Sequence, residues 1–130
     1  MERVFSINVV IDDVYEVKGT DGSAAMITFH GDSDCDYFKG KILPGGVDTQ
    51  KQPTDGERSL SARYILEGKD VNGEDCRIFI ENNGTFQKDG SIMTKPLIYT
   101  DSKALKWMET ADLKGTITGT EEGVRIDFFR

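Results

Sequence analysis

The feature that most limits the fold of this chain is its alternation of apolar and polar residues with a period of two. The alternation is clearest at Phe5-Ile7-Val9-Ile11 near the start and at Val124-Ile126-Phe128 at the end. Further runs of this kind lie at residues 26–29, 38–43, 60–67, 77–80, 97–99 and 113–120. A β-strand directs successive side chains to opposite faces, so this period predicts strands rather than helices.

Short polar pairs that contain glycine separate these runs, as at Asp21-Gly22, Asn72-Gly73 and Asn83-Gly84. Such pairs tolerate the positive φ angles of tight hairpins. About eight short strands joined by hairpins predict an antiparallel meander, and closing it into a barrel removes the two bare edges of an open sheet. We therefore predict an all-β fold over residues 1–130, a single domain that forms one closed or nearly closed antiparallel β-barrel.

One stretch favours a helix. Ser102 is a suitable N-cap, and the segment KALKWME that follows it places Leu105 and Met108 on one apolar face with Trp107 beside them. We predict one short helix near residues 102–108. Two helical turns are too short to span a barrel, so we expect the helix to cover one end, with Trp107 as its packing anchor.

Composition limits the classes of partner. The formal net charge is −7, and both signs are interspersed along the chain. Because a nucleic-acid binder needs a basic stripe, we expect no nucleic acid as a partner. No apolar run approaches the roughly 20 residues of a membrane span, and the start MERVFSINVVIDD lacks a small-residue cleavage site. We expect no membrane partner and a cytoplasmic location.

The chain offers little for a metal or a cofactor. Cys35 and Cys76 lack metal-ligand spacing, and the one histidine, His30, is not placed to complete a cluster with them. Asp32–Asp36 lacks the glycine and the distal glutamate of a calcium loop, and no dinucleotide or phosphate motif is present. We predict no metal, no cofactor, two unpaired thiols and a hydrogen-bonded surface role for His30.

Polar residues inside otherwise regular strands are the remaining candidates for a site. In SLSARYILEG, Ala62 and Tyr64 share one face of the strand and Arg63 lies on the other. If the apolar face points inward, Arg63 is solvated and Tyr64 enters the lumen. If the lumen is wet, the faces are reversed and Arg63 needs a buried carboxylate partner. Asp48, just after the backbone break Pro44-Gly45-Gly46, is the candidate partner, and periodicity alone does not choose between the faces.

Three segments carry a family resemblance: FKGKILPGGVDTQ, DGERSLSARYILEG and IFIENNG. Their Leu-Pro-Gly-Gly-x-Asp, Ala-Arg-Tyr and Asn-x-Gly motifs resemble the uncharacterised family catalogued as domain of unknown function 3237, also called uncharacterised protein family 0311. The resemblance extends over essentially the whole chain, with departures at Thr49 and Glu109. It implies a calycin-like β-barrel. Most members have no assigned reaction, and a minority look like cyclising enzymes of natural-product pathways.

These observations lead to a function hypothesis. We predict that the barrel holds a small apolar or aromatic molecule, with Asp48 and Arg63 as its polar pair, Tyr64 and Asn82 as hydrogen-bond donors and Trp107 as its cover. One alternative is that Asp48 and Arg63 only staple the barrel. Another is a cofactor-independent enzyme, an acid/base cyclase, isomerase or lyase acting on a small phenolic or enolic metabolite. Asp48 would then move the proton, Arg63 would stabilise the oxyanion and Tyr64 would relay a proton.

The C-terminal strand favours association of the chain with itself. Phe128 and Phe129 are adjacent, so their side chains point to opposite faces of the strand. One of the two must point away from the lumen, where a second subunit would cover it. We therefore expect a homo-oligomer.

Overall fold

The computed structural model describes all 130 residues and contains nine β-strands and one short 3-10 helix. All nine strands belong to one antiparallel sheet, which confirms the predicted all-β class. The strands are β1 (Arg3–Lys18), β2 (Gly22–Asp34), β3 (Phe38–Ile42), β4 (Val47–Pro53), β5 (Ser59–Asp70), β6 (Asp75–Phe86), β7 (Ile92–Thr100), β8 (Lys114–Gly119) and β9 (Gly123–Phe129).

The sheet closes into a barrel, as the sequence predicted. Hydrogen-bonded neighbours run in the order β1, β9, β8, β7, β6 and β5. β5 then pairs with both β3 and β4, each of these pairs with β2, and β2 pairs with β1. The narrowest seam is between β7 and β8, where two residue pairs are in register.

The backbone break at Pro44-Gly45-Gly46 separates β3 from β4, two short strands that together fill the place of one strand between β2 and β5. β3 pairs with the later part of β5, and β4 pairs with its earlier part. Gly45 has a φ of 107°, a left-handed value that favours glycine. A Cβ atom at Gly46 would lie 3.0 Å from the Phe29 ring, so a larger residue there would require the ring to move. The break therefore redirects the chain within the barrel wall and delivers Asp48 to the start of β4.

The barrel interior is filled by the alternate residues that the period-two pattern identified. Nineteen buried residues form one apolar cluster. Ile7 of β1, Leu66 of β5, Ile78 of β6 and Phe128 of β9 have no exposed surface. The apolar face of β5 therefore points inward, which decides the choice that periodicity left open.

The structure has one short helix near residues 102–108, as predicted, but it is a 3-10 helix of four residues, Lys106–Glu109, rather than two α-helical turns. Both ends of the segment are tied to the barrel. Ser102 Oγ donates to Asp70 Oδ2 at 2.6 Å, and Glu109 Oε2 accepts from the Thr100 amide at 3.0 Å. Because the segment is held at Ser102 and again at Glu109, the chain between them forms only one helical turn. The only helix of the structure is thus far too short to cross a membrane.

The segment after β7 still covers one end of the barrel, as expected. Leu105 and Met108 are buried in the core cluster, and the Leu105 amide donates to Ser102 Oγ at 3.2 Å. At the opposite end, β1 pairs with β9 only as far as Val10 but with β2 as far as Lys18. That end of the barrel is bounded by the β1–β2 hairpin and β4, and it positions the site described next.

Candidate ligand-binding site

A cavity of about 140 Å³ lies in the lumen, toward the end opposite the 3-10 helix. Fourteen residues line it, and eleven of them are apolar. The apolar lining includes Val9, Phe29, Leu60, Phe86, Ile117 and Ile126. The polar lining consists of Asp48, Gln50 and Asn82. The arrangement is typical of small-molecule sites, in which apolar walls surround a few fixed polar groups.

Three neighbouring strands place Asp48, Ala62 and Asn82 side by side. The register pairs Asp48 with Ala62, and Ala62 with Asn82, and all three line the cavity. Neighbouring strands are about 4.8 Å apart, so the backbones of the outer two residues are separated by about 10 Å. The methyl group of Ala62 leaves open space between the two polar side chains.

Asn82 is the most unusual residue of the cavity. Its side chain is fully buried, and neither its amide nitrogen nor its amide oxygen has a hydrogen-bond partner in the protein. A buried polar group left without a partner costs about 1–3 kcal/mol, and native proteins contain few of them. Asn82 therefore offers both a donor and an acceptor to a molecule in the cavity.

Asp48 presents one free oxygen. Its Oδ2 atom accepts a hydrogen bond from Gln50 Nε2 at 2.8 Å, whereas its buried Oδ1 atom has no hydrogen-bond partner in the protein. Burial raises the pKa of Asp48 above its usual range. The Gln50 hydrogen bond, the main chain of Ser61 and the charge of Arg58 act in the opposite direction. The desolvated carboxyl thus has less preference for its charged form than a carboxyl at the surface.

Arg58 and Gln50 fix the geometry of Asp48. Arg58 Nε donates to Gln50 Oε1 at 2.9 Å, and the guanidinium lies 5.7 Å from the centre of the Phe86 ring. Arginine has no acceptor, so the Gln50 oxygen faces Arg58 and its nitrogen faces Asp48. The sequence reasoning missed both residues. Gln50 had a usable signal, since it lies two positions after Asp48 and therefore on the same face of the strand.

Arg63 lies on the outside of the barrel, and the predicted pair between Asp48 and Arg63 is not formed. Its side chain is 60% exposed, and its Nε atom donates to Glu81 Oε2 at 3.0 Å. The register explains the difference, since Asp48 is opposite the inward-facing Ala62 and Arg63 is opposite Val47. The lumen site therefore contains no arginine from this strand.

The apolar face of β5 points inward, and Tyr64 therefore points into the barrel, as the sequence analysis expected for that orientation. Tyr64 does not line the cavity, however. Its ring packs edge-on against Phe29, with centroids 5.5 Å apart. The hydroxyl has no partner in the protein, and burial raises the pKa of Tyr64 well above its usual value. Tyr64 therefore belongs to the packed core of the barrel, next to Phe29, which lines the cavity.

Trp107 packs against the core, as expected of an anchor for the end of the barrel, but it does not cover the cavity. Its ring contacts Tyr37 edge-on at 5.4 Å, and the Arg130 guanidinium lies 4.6 Å from its centre. The predicted cover of the ligand site is therefore absent from the lining. The difference arises because the segment that carries Trp107 closes the other end of the barrel.

The remaining reactive side chains lie outside the cavity. His30 is exposed, with its Nδ1 atom 2.8 Å from Asp12 Oδ1, which confirms the surface role expected for it. Cys35 and Cys76 are free thiols, and burial, together with nearby carboxylates, raises the pKa of Cys76 to about 11. No three His, Cys, Asp or Glu side chains gather in an arrangement that suits a metal ion.

Known proteins are similar to this chain in sequence or in fold. A UPF0311 protein of Clostridium acetobutylicum is 38% identical over 86 residues, which are 64% of this chain and 52% of that protein. The chain thus spans about half the length of the curated relative that it matches. The crystal structure of a protein with unknown function from Clostridium acetobutylicum has a TM-score of 0.81 at 30% identity, covering 98% of this chain and 93% of the other.

A more distant structure shows the fold alone. The crystal structure of an enzyme from Penicillium herquei has a TM-score of 0.75 at 19% identity, covering 98% of this chain and 90% of that one.

Residues 1–95 match the family described as protein of unknown function, DUF3237. The matched region contains Asp48, Gln50, Ala62 and Asn82, and it confirms the resemblance inferred from the sequence motifs. The chain is therefore a member of the DUF3237 family, proteins of unknown function, and it has a β-barrel fold.

Proposed function

We propose that the protein binds a small, mainly apolar ring molecule in the cavity of the barrel. The unpartnered amide of Asn82, buried in an apolar cavity of about 140 Å³, is the observation that carries this proposal. An apolar cavity of about 150 Å³ is large enough for benzene. The cavity therefore suits one ring with few substituents.

The polar groups define which substituents fit. Asn82 can donate through Nδ2 and accept through Oδ1, and Asp48 offers Oδ1 on the other side of Ala62. A ring that carries a hydroxyl group on one edge and a hydroxyl or carbonyl group on the other would satisfy them. The apolar walls would contribute affinity at about 25 cal/mol per Å² of surface removed from water.

A second candidate function, a cofactor-independent acid/base enzyme, is supported by Asp48. A carboxyl with a raised pKa is better suited to take and return a proton near neutral pH. Asp48 would exchange the proton of a phenol or an enol, and the Asn82 amide would stabilise negative charge on the ligand oxygen. Arg63 has no part in this function, since it lies outside the barrel.

Titration with one-ring probes tests the binding function. Phenol, catechol and cyclohexanone would be titrated into the parent and into Ala62→Leu, and binding would be followed by calorimetry and ligand-observed NMR. We expect saturable binding of at least one probe to the parent. Ala62→Leu should lose that binding, because the longer side chain fills the space between Asp48 and Asn82.

Arg63→Leu is the matched control, since it adds the same side chain one residue further on, on the outer face. It should bind the probes like the parent. Equal binding by Ala62→Leu and the parent would place the bound probe outside the cavity, and no binding of any probe would contradict the proposal.

Deuterium exchange distinguishes the two candidate functions, catalysis and binding alone. Cyclohexanone in deuterated buffer exchanges its α-protons slowly, and a lumen base would accelerate the exchange. If the protein is an enzyme of this class, the parent accelerates exchange and Asp48→Asn does not. Binding without acceleration supports the binding function alone.

A further inference from the structure

Three side chains form a directed chain of hydrogen bonds from the rim of the barrel into the cavity. Arg58 donates to Gln50 at 2.9 Å, and Gln50 donates to Asp48 Oδ2 at 2.8 Å. Each group can fill only one role, because the guanidinium only donates and the Gln50 amide has one oxygen and one nitrogen. Asp48 therefore meets a ligand only through Oδ1.

The electrostatics of the cavity follow from this geometry. Asp48 is the only ionisable residue of the lining. The nearest cation, Arg58, is engaged by Gln50, and Arg63 is on the outer surface. Glu16 of β1 shares the inward row of Ala25 and Gln50, but it is exposed and lies 3.8 Å from Lys18. An anionic ligand oxygen at Oδ1 would therefore face a carboxylate whose charge is offset only in part, by Arg58 on the far side of Gln50.

We propose that the cavity selects the neutral, hydroxyl-bearing form of a ring molecule and rejects its anion, with Gln50 as the positioning residue that directs Asp48 Oδ1 at the hydroxyl group. This inference rests on the proposed binding function. It narrows the ligand class to weakly acidic phenols and enols in their protonated form. Asp48 accepts the hydroxyl proton in a hydrogen bond, and Asn82 contacts the opposite edge of the ring.

The probe for this inference is 4-nitrophenol, which ionises near neutral pH and changes its absorbance when it does. Adding the parent protein should convert phenolate to phenol and raise the apparent pKa of the bound probe by at least one unit, a tenfold preference for the neutral form. Nitrobenzene, which does not ionise, is the control ligand, and its affinity should be the same across the pH range used.

Asp48→Asn tests the role of the directed chain. Gln50 still donates toward position 48, so the new amide must present its oxygen to Gln50 and its nitrogen to the ligand. The preference for the neutral probe should then disappear or reverse, while nitrobenzene still binds. An unchanged preference in this variant, or a preference of the parent for the phenolate, would overturn the inference. Failure of phenol, 4-nitrophenol and nitrobenzene alike to bind would instead refute the binding function itself.

A second, independent inference concerns the outer face of β5, β6 and β7. The register aligns Ile65, Phe79 and Tyr99 in one row across the three strands. Ile65 is 37% exposed, Tyr99 is 58% exposed, and the rings of Phe79 and Tyr99 stack with centroids 6.2 Å apart. Phe128 is buried and Phe129 half-buried, so the C-terminal strand exposes less of its large apolar side chains than these strands do.

Two ion pairs between β5 and β6 flank this apolar row. In one of them the arginine belongs to β5, and in the other it belongs to β6. On one side Arg63 of β5 pairs with Glu81 of β6 at 3.0 Å, and on the other Glu67 of β5 pairs with Arg77 of β6 at 2.7 Å. A second copy can be laid face to face, with a two-fold axis along the row. Arg63 of one copy then lies opposite Glu67 of the other, and Glu81 opposite Arg77. The face is thus complementary to itself in charge.

We infer that this face is the interface of a symmetric dimer of the chain. Light scattering should report twice the chain mass at micromolar concentration. Two charge-exchanged variants keep their own ion pairs within the chain: Arg63→Glu with Glu81→Arg, and Glu67→Arg with Arg77→Glu. Each variant places like charges opposite each other in its own dimer, so each should dissociate at least tenfold more readily than the parent.

An equimolar mixture of the two variants restores opposite charges at all four positions and should form a mixed dimer. A monomeric parent, or variants that dimerise like the parent, would overturn this interface.

Discussion

Replacing Asn82 by leucine should make the protein more stable and remove its ability to bind a ring molecule. Leucine has the same branching and the same number of heavy atoms as asparagine but is bulkier, and because Asn82 lines the cavity the extra volume extends into it, so the substitution opens no new void. It removes an amide whose nitrogen and oxygen have no partner in the protein. An apolar group also suits the surrounding lining, in which eleven of fourteen residues are apolar.

The size of the effect follows from the two unpartnered groups. Each costs about 1–3 kcal/mol when it is buried, so removing both should raise the free energy of unfolding by about 2–4 kcal/mol after partial relaxation of the site. For a chain of this length, 1 kcal/mol corresponds to a shift in Tm of about 4 °C. The expected rise in Tm is therefore about 8–16 °C.

Urea denaturation and thermal melting measure the stability, and titration with phenol measures the binding. Asn83→Leu is the matched control, because Asn83 is exposed, points to the opposite face and hydrogen-bonds Ser61 and Glu81. The control should be unchanged or slightly less stable, and it should keep the parent's affinity for phenol. If Asn82→Leu lowers the stability, the amide has a structural role and the reasoning is refuted.

Three further predictions concern single residues. Burial raises the pKa of Asp48, so ionisation of this carboxyl opposes folding, and the parent should lose stability relative to Asp48→Asn as the pH rises from about 4. Melting of both proteins between acid and neutral pH measures this, and a difference that does not change with pH would contradict it. Tyr64→Phe removes a buried hydroxyl that has no partner, so its Tm should equal or exceed the parent's, and probe affinity should be unchanged because Tyr64 does not line the cavity. A lower Tm, or a weaker affinity for the probe, would show that the Tyr64 hydroxyl contributes to stability or to binding. Ser102→Ala removes the hydrogen bonds to Asp70 and from the Leu105 amide and should cost about 1–3 kcal/mol in denaturant unfolding, whereas an unchanged midpoint would mean that the 3-10 segment is held by packing alone.

The fold could be predicted from the sequence because its signals are local. Alternation with a period of two and glycine-containing turn pairs act over a few residues, and they identified the strands and the need to close the sheet. The segment after Ser102 shows the limit of local reasoning. Its helical pattern is real, but the contacts of Ser102 with Asp70 and of Glu109 with Thr100 join it to distant strands and shorten it to one turn.

The site depended on the tertiary structure, and the reason is register. The sequence singled out Asp48 and Asn82, but only the pairing of β4 with β5 and of β5 with β6 sets them on either side of Ala62. The same register sent Arg63 to the outer surface, because adjacent residues of a strand point to opposite faces and a shift by one residue exchanges them. Residue types and spacing along one strand therefore identified the candidate groups. The pairing between strands, which is set by the packing of the whole barrel, decided which of those groups meet.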